Sequence, residues 1–512
     1  MLVKTYSSTV RGIDAIKITV EVDASVGFKF FMVGLPDNAV KESEQRIAAA
    51  FANNAIKPVG RKIVVNLAPA DIRKEGSHYD LPIAIGILAA SEKIKAENIS
   101  RYVILGELSL DGSVGVVEGA LPIAIMALKE GFDGVILPRV NAREAAVVQG
   151  INVFGVDTLS QAIEVIEGRS SLEPTYVDTR GEYFSNCKNF DIDFQDVKGQ
   201  EAVKRALEIA AAGGHNVLMV GPPGSGKSML SRRMPTITPP MTLAEALEST
   251  KIHSVAGRIG ASGGLLTSRP FRAPHHTLSD VAMVGGGSSP KPGEISLAHN
   301  GILFLDELPE FSRQVLEVLR GPLEDREIEI ARSKYSVRYP ANFMFIAAMN
   351  PCPCGYLTHP DKECRCTPAA VNRYMSKISG PLLDRIDMHI EVVPVDADRI
   401  TATKTGQTSA TIRARVVAAR ERQTARFEGT AIHSNAMMGS KQLDEFCPLD
   451  AESTQLLRDA INNLHLSARA HDRIIKLART IADLEGVADI AQHHIGEAVS
   501  YRNFDRENWG VF

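Results

Sequence analysis

The sequence predicts an α/β multidomain protein, and three observations predict it. At 512 residues and roughly 150 residues per domain, about three domains are expected. Short apolar runs alternate with helical stretches along most of the chain. A glycine-rich motif ending in Gly226-Lys227-Ser228 sits between one such run and a helix. Hydrophobic residues make up 44% and charged residues 23%, ample material for several buried cores. A net charge of -4 excludes a wholly basic, histone-like binder of nucleic acid but leaves room for a local basic stripe. The longest apolar run, Leu81 to Ala90, is about half of what a membrane span needs. The N-terminus carries no long apolar core of the secretory kind. A cytoplasmic protein with no membrane partner is expected.

Residues 1–168 read as one α+β domain. Ile13–Val22 is a strand, with Ile16, Ile18, Val20 and Val22 on one face. Asn38–Asn53 is rich in Ala, Glu, Lys and Gln and lacks Gly and Pro, which predicts a helix. Lys62–Leu67 is a strand and Tyr79–Ala90 a buried helix. Val103 begins a strand that runs into a turn at Asp111-Gly112. Pro122–Lys129 is helical and Gly134–Pro138 is a strand. Residues 169–192 lack periodicity and read as a linker. Residues 193–397 form a second α/β domain that carries the strong motifs. Asp396–Ala410 is polar and Thr-rich, a loop, and 411–507 is helical throughout.

Asn216–Val220 is a short apolar strand leading into Gly221, Pro222, Pro223, Gly224, Ser225, Gly226, Lys227 and Ser228. This is G-x-x-x-x-G-K-[ST] in the strand–loop–helix context the motif requires. Backbone N–H groups of such a loop point inward around phosphates at the positive end of a helix. Lys227 supplies a point charge to the β- and γ-phosphates, and Ser228 an oxygen to Mg²⁺. ATP and Mg²⁺ are the expected ligands. A second apolar run, Gly301–Leu305, ends in Asp306-Glu307. A buried parallel strand delivers such side chains at its C-terminal end, where ligands bind. Asp306 would hold Mg²⁺ through water, and Glu307 would polarise the attacking water. A third run, Phe343–Met349, ends at Asn350-Pro351, an amide placed to orient water and γ-phosphate; the plain alternative is a turn asparagine before proline.

Cys352, Cys354, Cys364 and Cys366 form two C-x-C pairs in the loop 350–367. Four thiolates suit tetrahedral Zn²⁺; reduced free thiols and a disulfide are the alternatives. Cys187 and Cys447 stand alone. Glu327–Tyr339 alternates apolar and polar residues with a basic tip, a hairpin. Arg332 and Lys334 form that tip, which is simply solvated unless, as in the ring helicases it resembles, the hairpin points into a pore and meets DNA phosphates without reading sequence. His275-His276 are expected to point apart on a strand, which disfavours a metal pair. Arg413, Arg415, Arg420, Arg422 and Arg426 form either a solvated helix face or a DNA or subunit contact.

Together these residues resemble an AAA+ ATPase of the magnesium-chelatase-like branch. Gly380-Pro-Leu-Leu-Asp-Arg385-Ile-Asp387 resembles the motif whose arginine reaches the neighbouring subunit's nucleotide. Ser467-Ala-Arg469 resembles the branch's second sensor, which contacts the γ-phosphate from the lid. Arg385 could instead pair with Asp384 or Asp387, and Arg473 and Arg479 compete with Arg469. Gly106–Gly112 and Pro138–Asn141 resemble the Lon-protease fold. Its Ser–Lys pair is missing, because His78 or Tyr79 stands at the nucleophile and Val117–Pro122 lacks the lysine. Acyl chemistry needs both groups, so a binding or ring-assembly platform is expected, unless a one-residue shift makes Ser77 the nucleophile. With Asn350-Pro-Cys-Pro-Cys-Gly, the domain order resembles the ComM/YifB family over essentially the whole chain. The resemblance implies a P-loop AAA+ core with a parallel sheet, an N-terminal α+β Lon-protease-like (S5-like) domain and a C-terminal helical lid. It also implies a homo-hexameric ring motor, with Arg385 acting in trans and the hairpin in the pore. Its partner would be single-stranded or branched DNA, with branch migration in natural transformation and homologous recombination. The competing class is a protein-remodelling motor, a metal-insertion partner like magnesium chelatase or a chaperone, with no DNA substrate.

Overall fold

Ile18, Val20 and Val22 alternate along Asp14–Ser25 and are fully buried, as in a strand with one face on a core. In the computed structural model this strand lies inside the first of two compact units. That unit comprises Met1–Asn186 and Leu243–Thr267; the second comprises Cys187–Thr242 and Ser268–Phe512. The structure describes residues 1–57, 60–186, 190–259, 263–287, 290–332, 335–395, 406–464 and 466–502.

The first unit is built on a seven-stranded sheet among the described residues. Its order is Phe30–Val33, Lys62–Ala68, Asp14–Ser25, Leu2–Arg11, Tyr102–Ile104, Gly134–Pro138 and Asn152–Val156. Leu2–Arg11 and Asp14–Ser25 form an antiparallel hairpin with Leu2 opposite Asp23 and Arg11 opposite Asp14. The last three strands run parallel, so the unit is α+β. Every residue of the helix Asp80–Ala90 is buried, as a helix apolar all round requires. The expected helix Asn38–Asn53 is two helices, Asn38–Lys41 and Ser43–Asn53. Asp37 starts the first by accepting from the Val40 N–H at 2.8 Å, a side-chain cap. The stretch read as a linker includes the helix Thr179–Asn186. The helix Leu243–Val255 folds with this unit, although chain order sets it inside 193–397. It packs on the helix Ala120–Lys129, Lys251 pairs with Asp14 at 2.7 Å, and the Ser254 hydroxyl bonds Glu144.

The second unit holds a five-stranded sheet in the order Phe271–Arg272, Ile302–Leu305, Met344–Met349, Val217–Val220 and Met388–Glu391. Every pairing in it is parallel. The three inner strands are buried at every residue, which explains their unbroken apolar sequence. Val220 stands opposite Met349, and Leu305 opposite Ala347. The segments that follow these strands therefore start side by side. Glu327–Arg332 and Tyr335–Pro340 form the expected antiparallel hairpin.

Helices Ser409–Arg426, Ser440–Phe446, Ala451–Leu464, Ala468–Glu485 and Gln492–Ser500 form the C-terminal part. Ala468–Glu485 buries Ile474, Leu477, Ala478 and Ile481 on one stripe, the amphipathic pattern of a packed helix. Four arginines of Ser409–Arg426 bond groups within the chain, although Arg422 remains exposed. Arg415 meets Glu208 at 2.5 Å, Arg420 the carbonyls of Ala211 and Ala212 at 3.1 Å, and Arg422 the Asp483 carbonyl at 2.8 Å. Arg426 grips both carboxylate oxygens of Asp483 at 2.5 and 2.8 Å. These guanidinium groups join the helical part to the helix Glu201–Gly213 and to itself. No described helix is long and apolar enough to cross a membrane.

Candidate active site

The buried strand Val217–Val220 delivers the glycine-rich loop to the end of the sheet. Gly226, at φ +94°, opens the helix Lys227–Ile237 in a left-handed conformation that glycine adopts freely. The loop then curls over the helix N-terminus, whose N–H groups have no partner within the helix. The Lys227 amine folds back into this loop. It donates to the carbonyls of Gly221 at 2.7 Å and Pro222 at 2.9 Å, and lies 3.3 Å from Asn350 Oδ1. Burial brings the pKa of Lys227 down to about 8, against the pull of Asp306 and Glu307. A phosphate would give this ammonium a stronger acceptor than the loop carbonyls do.

Ser228 Oγ donates to Asp306 Oδ2 at 2.5 Å. A hydroxyl and a carboxylate oxygen this close, beside an anion-binding loop, are the donor set that a hard cation such as Mg²⁺ takes. The residues therefore fit that ion. Asp306 also accepts from the Glu307 N–H at 3.0 Å. Glu307 itself stands at φ +54°, a left-handed conformation that strains a non-glycine residue and recurs at functional sites. Its side chain is exposed, with His276 Nδ1 3.8 Å from its carboxylate.

The two arginines stand apart from this group. Arg385 donates to the Pro381 carbonyl at 2.8 Å and pairs with Glu324. Arg469 is half-exposed, 3.9 Å from Asp384. Its two competitors are engaged elsewhere: Arg473 bonds Asp387, and Arg479 bonds the Val487 and Ala488 carbonyls. Lys334 and the side chain of Arg332 lie outside the described residues.

His276 is the neighbour of the site that sequence reasoning missed. The two histidines do not point apart on a strand. They follow the strand Phe271–Arg272 on a loop with their rings 4.1 Å apart, and His276 meets Phe311 edge-on. Its approach to Glu307 depends on the fold, and no local pattern signals it.

The four clustered cysteines converge. Cys352 Sγ is 3.4 Å from Cys354 and 3.6 Å from Cys364, and Cys354 is 3.6 Å from Cys364; all four sulfurs lie within 4.8 Å of one another. Sulfurs tetrahedrally placed on zinc would be about 3.8 Å apart, whereas a disulfide needs about 2.05 Å. The spacing is compatible with four ligands of one metal ion, and all four are free thiols, which sets the disulfide alternative aside. Burial opposes ionisation of Cys354, but the backbone N–H groups of Tyr356 and Arg365 outweigh it and bring the thiol to about 6. Cys187 lies outside the described residues.

In the first unit, Ser77 Oγ donates to Glu107 at 2.5 Å, and the buried Lys74 amine bonds the Pro69 carbonyl. His78 Nε2 contacts the Ser8 carbonyl at 3.0 Å, and Tyr79 is fully buried. Ser77 and Lys74 thus bond separate partners.

Comparison with known proteins gives a consistent result along the chain. The family described as magnesium chelatase, subunit ChlI, matches residues 193–400, and its C-terminal part matches 406–502. The family described as subunit ChlI of Mg-chelatase matches 20–141. A Salmonella typhimurium protein named YifB is 43% identical over 98% of this chain and 97% of its own length. The competence protein ComM of Haemophilus influenzae is 43% identical over 97% of this chain and 96% of its own. Lon protease 2 of Bacillus subtilis is 29% identical over 157 residues, 28% of this chain and 27% of its own. With the parallel-sheet core, the Lon-like likeness and the helical C-terminal part, the chain belongs to the magnesium-chelatase-like ComM/YifB family.

Proposed function

We propose that this protein is an ATP-hydrolysing ring motor that moves branched or single-stranded DNA in natural transformation and homologous recombination. One observation supports the reading: Lys227 meets Asn350 and Ser228 meets Asp306 beside the glycine-rich loop, in a chain 43% identical over 97% of its length to a competence protein. Lys227 neutralises the β- and γ-phosphates, while Ser228 and Asp306 hold the metal ion. Mg²⁺, when bound, supplies positive charge against that developing on the transferred phosphoryl group. Glu307 takes the proton of the attacking water, Asn350 orients that water, and Arg469 contacts the γ-phosphate from the lid. Arg385 leaves Glu324 to act on the nucleotide of a neighbouring copy, which calls for a homo-hexameric ring. Arg332 and Lys334, at the hairpin tip, contact DNA phosphates in the pore. The four clustered cysteines hold a structural Zn²⁺, and the protein works in the cytoplasm.

The test is ATP hydrolysis with and without branched DNA. DNA should stimulate turnover, and the stimulation should fall by orders of magnitude between about 50 and 200 mM salt, as phosphate contacts do. The double substitution Arg332→Ala/Lys334→Ala should remove most of the stimulation. Turnover indifferent to every DNA form would favour the protein-remodelling reading, which the magnesium-chelatase family descriptions support.

A further inference from the structure

The cysteine cluster is continuous with the nucleotide site. Asn350 follows the strand Met344–Met349, and Cys352, fully buried, comes two residues later. Gly355 closes the next turn, its N–H bonding the Cys352 carbonyl at 3.0 Å, with φ +84°. A Cβ on Gly355 would fall 2.5 Å from Cδ and 2.8 Å from Cγ of Pro223, and 3.8 Å from Cγ of Asn350. The backbone of the cysteine loop therefore rests directly on the phosphate loop. At its far end, Thr367 caps the helix Pro368–Met375, accepting from the Ala370 N–H at 3.3 Å. Tyr374 of that helix is buried with its hydroxyl against the Asn350 backbone. Between Met349 and Pro368 there is neither helix nor strand, and Pro360–Glu363 is exposed. A loop with so little core of its own orders only at a large entropic cost, and four converging sulfurs offer the means to offset it.

We propose that a soft divalent ion such as Zn²⁺, held by Cys352, Cys354, Cys364 and Cys366, braces the nucleotide site by pinning the loop against Pro223 and Asn350. Metal occupancy then sets both ATP affinity and turnover. Binding releases thiol protons and involves no redox step. The inference rests on the ATP-site reading above.

The experiment uses the full chain. Elemental analysis should find one zinc per chain, and Co²⁺ in its place should give the absorption of a tetrahedral thiolate site. Stripping the metal with a chelator under reducing conditions should weaken binding of a fluorescent ATP analogue about tenfold or more, the scale on which outer-shell supports act. Added Zn²⁺ should restore it. Gly355→Ala keeps all four ligands, so it should retain zinc yet bind the analogue less tightly, because its methyl group displaces Pro223. Cys364→Ser should lose both. The stripping and reloading of the wild-type chain stands even if a variant fails to fold. Failure of the four thiols to take up Zn²⁺ or Co²⁺ would overturn the proposal, as would a stripped chain that binds and hydrolyses ATP like the loaded one. A zinc-loaded wild-type chain that binds no ATP would instead overturn the nucleotide reading, and the brace with it.

Discussion

Lys227 Nζ lies 3.3 Å from Asn350 Oδ1, joining the helix that follows one parallel strand to the residue that follows its neighbour. On the proposed reading, the amide orients the Lys227 charge as well as the attacking water. Asn350→Ala should lower kcat by about 10²-fold, the usual effect of losing one oriented polar group near developing charge. ATP affinity should change much less. Steady-state kinetics alongside equilibrium ATP binding separates the two effects, and a loss confined to affinity would count against this role.

Burial brings Lys227 to about 8, and the bound phosphates, which favour the ammonium, would raise it again. The sign follows from linkage: the free protein loses the ammonium above pH 8 while the complex keeps it. ATP affinity should be flat below about pH 8 and fall by up to about tenfold per pH unit above it. Lys227→Arg, which stays charged, should remove that slope. Titration of ATP binding from pH 7 to 9.5 checks both.

Asp387 ties the helical part to the sheet. It accepts from the Asn216 N–H at 2.9 Å and pairs with Arg473. Burial opposes its ionisation, but Arg473 and His215 outweigh burial and hold the carboxyl well below the usual carboxylate range. A depressed pKa stabilises the fold above the unfolded value, and that stability is lost only as pH falls beneath the ordinary carboxylate range. Asp387→Ala, which leaves Arg473 unpaired, should cost about 3–5 kcal/mol in urea unfolding at neutral pH. The loss should shrink in acid.

Arg385 is held by Glu324 and Pro381 within its own chain. If it serves a neighbour's nucleotide, mixing Arg385→Ala chains into wild type should depress turnover more steeply than dilution alone. A strictly proportional loss would mean that the arginine works only within its own chain.

The parts of this protein that were legible in its sequence are the local ones. The phosphate loop, the apolar strands ending in Asp306 and Asn350, and the cysteine spacing each follow from a few consecutive residues. The first strand, Leu2–Arg11, is not legible because its inward face carries Thr5 and Ser7 beside Val3, and polar buried residues mask the alternation. The docking of Leu243–Val255 on the first unit, the approach of His276 to Glu307 and the seat of Gly355 on Pro223 join residues far apart in the chain. Only the folded chain decides them. The arginines of Ser409–Arg426 teach the same lesson: Arg415 pairs with Glu208 and Arg426 with Asp483 in other elements, so the sequence presents them as a bare charge run.

The most direct test of the account is strand movement on labelled branched DNA by purified protein with Mg²⁺ and ATP. Wild-type protein should move strands, whereas Glu307→Gln and Lys227→Ala should bind DNA without moving it. ATP hydrolysis with no strand movement on any branched substrate would contradict the account.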